Sequence, residues 1–194
     1  MQFSGPNLSG VIGLGSNQEG VRQFNERLIL QVIRQAGPLP KAEIARATRL
    51  SAQTVSVIIN QFLESGLLKK GAAQKGRVGQ PSVPISLARD GAFSLGVKIG
   101  RRSVDVVLLG FTGEVIATGT QSHAYPRVVD VLDRTEAMIN DLVAPLGKAA
   151  IGRIVGIGVA TPFSLEAWAD ELGAPAEDLE AWKEFDIGAA IEKR

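Results

Sequence analysis

Residues 39–66 read LPKAEIARATRLSAQTVSVIINQFLESG, and their apolar spacing decides the fold. Residues 41–47 form a short helix that buries Ile44 and Ala45, and residues 48–50 form a turn. Ser51 stands ahead of a second periodic run, where its hydroxyl can accept from a free backbone N–H of the first helical turn. At 100° per residue, Ala52, Val55, Ile58, Ile59, Phe62 and Leu63 fall on one side of this second helix. Gln53, Thr54, Val57, Asn60 and Gln61 fall on the other. The pattern is a helix-turn-helix whose second helix offers its first polar turns to base edges. An ordinary amphipathic hairpin shares this spacing, so the flanking sequence has to separate the two.

Upstream, residues 1–20 are rich in glycine and read as a flexible arm. A helix over residues 21–35 follows, with Phe24, Leu28 and Val32 facing inward and Ile29 beside them, and Gly37-Pro38 ends it. Downstream, residues 67–70 form a strand, residues 71–81 a loop rich in Gly and Lys/Arg, and residues 83–87 a returning strand. A helix-turn-helix followed by a hairpin with a basic tip is a winged helix, here spanning residues 21–88. Lys75 and Arg77 at the tip can lie along phosphates or enter a minor groove, where negative potential favours Arg.

After a linker at residues 88–91 the apolar period changes to two. Residues 93–99, 103–109 and 114–120 read as three antiparallel strands joined by turns at Gly100-Arg101-Arg102 and Thr112-Gly113. A long helix over residues 128–146 turns Val131, Leu132, Ala137, Met138, Leu142 and Val143 mostly inward. Residues 154–160 form a nearly all-apolar strand, the expectation for a strand covered on both faces. Residues 165–172 and 177–185 read as helical. The order β-β-β-α-β over residues 92–194 is the opening of an actin-like (ribonuclease H-like) lobe, so the fold class is mixed α/β.

Composition narrows the function. A net charge of +1 hides an asymmetry: residues 1–89 carry eleven Lys/Arg against four acids, a balance of +7, and the remainder a balance of −6. A basic front half on the helix-turn-helix points to a polyanion partner. No apolar run is long enough for a membrane span, and no signal-peptide pattern is present. The chain has no cysteine and one histidine. That excludes disulfides and cysteine zinc sites, argues against a Ser-His-Asp triad, and suits a bacterial-type cytoplasm. His123, after the third strand, reads as a surface loop residue. Trp168 and Trp182 read as packing residues.

These segments together resemble the ROK family (repressors, open reading frames and sugar kinases) in its transcription-regulator branch. The resemblance rests on VRQFNER at 21–27, the helix-turn-helix from 37 to 68, GRVGQP at 76–81, LGVKIG at 95–100, IVGIGVATP at 154–162, and Trp182 with Asp186-Ile187. It covers roughly residues 15–194, and the ordered set carries it rather than any one piece. It implies a DNA-binding regulator, a repressor of carbohydrate metabolism, with a homodimer on a two-fold operator and a body that senses a small carbohydrate. The alternative is an ATP-dependent sugar kinase with an added DNA-binding domain.

Three departures bear on that choice. In the family's kinases the turn after the first strand resembles Asp-x-Gly-Gly-Thr. Here Lys98 replaces the carboxylate that Mg²⁺ prefers, and Arg101 and Arg102 place side chains where phosphate needs bare backbone. Two arginines and a lysine could instead hold an anion, though solvated turn residues is the simpler reading. Second, the family's Asn-Asp pair, Glu-x-Gly-His sugar site and Cys-rich zinc motif do not occur, so the lobe reads as truncated and no catalytic, cofactor or metal residue is assigned. Gly158 and Pro162 match a segment that lines the family's cleft. Third, Arg49 stands where the family has Gly, which costs about 1 kcal/mol if that position needs a positive φ. Pro40 stands where the family has a Ser cap. The candidate DNA-binding residues are Lys41, Arg49, Ser51, Gln53, Thr54, Ser56, Val57, Lys75 and Arg77. Gln53 leads as a base reader, because Gln can pair with adenine N6 and N7. Arg49, Lys41 and Ser56 are assigned to phosphates.

Overall fold

The structure, a computed structural model, describes residues 18–73 and 82–193. Contacts divide the chain into two compact units, residues 1–61 with 70–86, and residues 62–69 with 87–194. Lys75, Arg77 and most of the expected arm lie outside the described residues. The last three residues assigned to the arm do not: Gln18, Glu19 and Gly20 already belong to α1 (Gln18–Ala36). Glu19 in the first turn and Arg34 in the last suit the helix dipole, which explains the early start.

The helix α1 ends where Gly37 adopts φ 80° and its N–H donates to Ile33 O at 3.0 Å. This is the left-handed helix stop that glycine makes without strain. Next come β1 (Leu39–Pro40), α2 (Lys41–Thr48), α3 (Ala52–Glu64), β2 (Leu68–Lys70) and β3 (Pro84–Leu87). The three strands form a sheet in the order β1-β3-β2, with Leu39 opposite Ile85 and Pro40 opposite Pro84. The core of this unit is Ile29, Ile33, Ile44, Val55, Ile58, Ile59 and Ile85, each at most 4% exposed. Burying a side chain of this size stabilises by about 1.5–3 kcal/mol.

The inward stripe of α1 differs from the expectation. Ile29 and Ile33 carry it, Leu28 and Val32 are half-buried, and Phe24 is 65% exposed. The stripe is shifted by one residue and confined to the C-terminal turns. On α3, Ala52 is exposed, and Phe62 and Leu63 are half-buried. Thr48 was not foreseen in the core. Its hydroxyl donates to Ile44 O at 2.7 Å, which lets a polar side chain be buried without an unmet hydrogen bond.

The second unit is a four-stranded sheet, β6-β5-β4-β7, built from β4 (Phe93–Ile99), β5 (Ser103–Gly110), β6 (Val115–Ser122) and β7 (Ile154–Ala160). The strands β4, β5 and β6 form an antiparallel meander, with Ile99 opposite Val104 and Val106 opposite Gly119. The strand β7 runs parallel to β4, with Gly96 opposite Gly158. A parallel partner needs a crossover, which α4 (Val128–Val143) supplies. Period-two alternation puts Phe93, Leu95, Val97, Ile99, Val104, Val106 and Leu108 on one face, where Val131, Met138 and Val143 of α4 pack onto them. Ala137, expected inward, is exposed, and Thr135 takes a core place by donating to Val131 O at 2.7 Å.

The strand β7 contradicts its sequence reading. It is not covered on both faces: Val155 is 77% exposed and Ile157 38%. It lies at the sheet's edge, and α4 packs chiefly over β5 and β6. Beyond β7 the helices are short: α6 (Ala169–Leu172), α7 (Ala176–Glu180) and α8 (Ile187–Glu192), with α5 (Lys148–Ile151) before it. Asp186 caps α8, accepting from Ala189 N–H at 2.9 Å.

Candidate nucleic-acid interface

The start of α3 is built by its own sequence. Ser51 Oγ accepts from Thr54 N–H at 3.1 Å and lies 2.8 Å from Thr54 Oγ1. A cap of this kind stabilises a helix by about 0.5–2 kcal/mol. It also sorts the candidates. Ser51 and Thr54 bond each other, and Thr54 is half-buried. Gln53 is exposed, and among the described residues its amide has no side-chain bond, so both donors and its acceptor stay available. Ser56 is half-buried, and Val57 is 52% exposed.

The turn before α3 holds Arg49 at φ 57°, ψ 23°. Among the described residues it is the single non-glycine with positive φ. The left-handed region crowds Cβ against the next carbonyl and costs about 1–2 kcal/mol. The backbone here keeps that conformation with an exposed arginine in it, immediately ahead of the capped helix. At the other end of α2, Pro40 caps through backbone conformation alone, at φ −64°, ψ 150°, with no side-chain bond.

Lys41 is not a free cation. Its Nζ donates to Asn60 Oδ1 at 2.8 Å, tying the start of α2 to the third turn of α3. An ammonium has three donors, so two remain. A second tie was not read from the sequence: Arg22 on α1 donates through Nε to Glu26 Oε1 at 2.7 Å and through Nη2 to Gln61 Oε1 at 3.2 Å. The i,i+4 spacing of Arg22 and Glu26 is a sequence signal for the first of these bonds. Nothing local signals the second. Gln53, Thr54, Val57 and Gln61 of α3 and Val21 and Arg22 of α1 line one open groove of about 390 Å³. Arg49 and Lys41 are not among its lining residues.

On the second unit the cationic turn is already occupied. Arg101 stacks its guanidinium 3.8 Å from the Trp168 ring centre and pairs with Glu171 at 3.2 Å. Arg102 donates to Ala124 O. Lys98 Nζ lies 3.7 Å from Asp105 Oδ2. The uncovered sheet face opens on a cavity of about 670 Å³, with Gly96, Lys98, Asp105, Thr118, Thr120 and Gly158 among its lining residues. Asp105 also accepts from Thr120 at 2.8 Å and from Ser103 at 3.3 Å. Trp182 donates to Pro126 O at 2.6 Å and meets Phe185 edge-on.

His123 lies in the loop after β6, as expected, but is half-buried. Its backbone continues the pairing of β6, donating to Arg102 O at 2.9 Å, and this carries the ring under the β4–β5 turn. Nε2 lies 3.1 Å from Gly100 O, and Nδ1 is buried with no partner among the described residues. Burial holds the imidazole below its ordinary pKa of 6.5, against the raising effect of the Gly100 carbonyl.

Comparisons with known proteins bear on the fold around these residues. Residues 23–77 match the MarR family. Over 178 residues the chain is 27% identical to protein y4fQ of Sinorhizobium fredii (strain NBRC 101917 / NGR234), covering 87% of this chain and 45% of that protein. Over 101 residues it is 28% identical to the DNA-binding transcriptional dual regulator NagC of Escherichia coli (strain K12), covering 52% of this chain and 25% of NagC. In fold it is similar to the crystal structure of a ROK family transcriptional regulator, a homolog of the E. coli MLC protein. The TM-score is 0.55 at 21% identity, over 73% of this chain and 36% of that one. The chain thus spans less than half the length of these relatives. Residues 23–77 are thus similar to a MarR-type winged helix, and the chain's fold is similar to that of a ROK family regulator.

Proposed function

We propose that this chain is a sequence-specific DNA-binding transcriptional regulator of the ROK type that acts as a repressor. The observation that carries the reading is α3: a helix capped by Ser51, with Val55, Ile58 and Ile59 buried and Gln53 exposed, its amide without a side-chain partner among the described residues. Hydrogen-bonding capacity left open beside buried residues suits a helix that fills it from outside. In the mechanism α3 enters the major groove, Gln53 reads a base edge, and Arg49, Lys41 and Ser56 hold phosphates. Ser51 and Thr54 serve first as the cap that fixes the helix start, and Thr54 reaches bases only with its remaining lone pair. Lys75 and Arg77 add backbone or minor-groove contact. Two copies bind a two-fold operator. The test is selection of duplexes from a random library by the full chain: enrichment of one inverted-repeat sequence is expected, and recovery of unenriched sequence contradicts the reading.

The kinase alternative meets two observations. Lys98 stands where the family's kinases have a carboxylate, and Asp105 beside it is already engaged by Lys98, Ser103 and Thr120. No phosphoryl transfer from labelled ATP to a panel of hexoses and amino sugars is expected under single-turnover conditions. Transfer above the rate without protein, abolished by Lys98→Ala, supports the kinase instead.

A further inference from the structure

The groove between α1 and α3 is walled on one side by Val21 and on the other by Val57, 51% and 52% exposed. A valine on a polar recognition face has no hydrogen-bonding task there, and two of them facing one groove leave apolar surface in water. Gln53 and Thr54 line the same groove, so it is continuous with the base-reading face. Arg22 lines the same groove. Its bonds to Glu26 and Gln61 fix the guanidinium across the two helices and leave three N–H donors for a phosphate. Apolar walls beside a fixed cation fit one feature of duplex DNA: the C5-methyl of thymine, the apolar mark that the major groove displays beside its phosphates.

We propose that Val21 and Val57 seat a thymine methyl group, and that the first turns of α1 therefore read sequence together with α3. The inference rests on the DNA-binding reading above and extends it to α1, which no sequence signal implicated. Thymine differs from uracil by that methyl alone, so the discrimination is isolated by replacing thymine with deoxyuridine. Burying one such group contributes about 0.8 kcal/mol, which is about fourfold in affinity.

The test uses the full chain and the duplex enriched from the random library, with each thymine changed to deoxyuridine in turn. One thymine per half-site is expected to matter, and its replacement weakens binding about fourfold. Val57→Thr keeps the side-chain shape and replaces one methyl by hydroxyl. It is expected to bring the thymine-to-uracil ratio at that position close to one, and Val21→Thr to lower it. Circular dichroism melting checks that both half-exposed sites accept the change. A ratio near one at every position overturns the proposal, as does an enriched site without thymine. A ratio that persists in both variants also overturns it, since the methyl is then read elsewhere. Failure of the chain to retain any duplex at low salt fails the DNA-binding reading itself, a separate result.

Discussion

Two exposed polar surfaces of this chain differ at particular side chains. On the open sheet face, Asp105 takes Lys98, Ser103 and Thr120, so its charge and lone pairs are met within the protein. On α3, Gln53 is exposed with its amide free among the described residues, and Val57 gives apolar area to solvent. A surface that closes its own hydrogen bonds holds strands in register. On α3, Thr54, Asn60 and Gln61 are bonded within the protein too, and Gln53 is the side chain left open to a partner from outside. The contrast argues for function at α3 more strongly than charge alone, because the same sheet face also carries a lysine.

The largest effects belong to the cores under these surfaces. Ile59 and Leu108 are each 0% exposed, and truncating either to alanine should cost about 2–5 kcal/mol in a denaturant titration. The comparison is sharpened by DNA binding: Ile59→Ala is expected to abolish it, and Leu108→Ala to leave it close to wild type while the second unit loses stability. Equal loss of DNA binding in both variants breaks the assignment of function to the first unit.

The surfaces themselves come next. Gln53→Ala should weaken the selected duplex by about 1–3 kcal/mol and leave random duplex nearly unchanged, because a base contact is lost and no phosphate contact with it. Asp105→Asn should do the reverse, lowering the melting temperature with no change in DNA affinity. If Asp105→Asn relaxes sequence preference and Gln53→Ala does not, the contrast is inverted.

Arg49 offers a smaller and two-sided effect. Arg49→Gly relieves about 1 kcal/mol of left-handed strain, part of it offset by the freer unfolded chain that glycine brings. Stability should hold or rise slightly, and DNA affinity should fall on all sequences, with the salt slope flatter by about one unit. A variant that loses stability shows that the arginine side chain holds the turn.

His123 gives the smallest effect. Its folded pKa lies below the ordinary 6.5 through burial, so the unfolded chain binds the proton more readily. Stability from this group is present above pH 6.5 and is lost as pH falls through the lower folded value. The denaturant midpoint should drop between pH 7.5 and pH 5.5, and His123→Asn should reduce that drop. An unchanged pH dependence in the variant removes His123 as its source.

Most of the architecture was legible because it is periodic. Ser51 as a cap, the buried Val55, Ile58 and Ile59, and the strand over Phe93–Ile99 follow from spacing and one capping residue. Where period alone was the guide it failed in understandable ways. Thr48 and Thr135 are buried because a hydroxyl can bond the carbonyl four residues back, which a hydropathy pattern does not register. The strand β7 is apolar by sequence, but sequence does not say what packs on it. In the candidate site, Gln53 and Val57 were legible as an exposed face. The ties of Lys41 to Asn60 and Arg22 to Gln61 were not, since they join residues 19 and 39 positions apart.

The central claim is that the front of the chain meets the phosphates of duplex DNA through its cations and a base edge through Gln53. The most direct measurement is the affinity of the full chain for its selected duplex across a salt series. Neutralising several phosphates predicts a log–log slope of about −3 or steeper, with Gln53→Ala shifting the line down without changing its slope. A slope near zero, or a Gln53→Ala line that changes slope without losing preference for the selected sequence, contradicts the account.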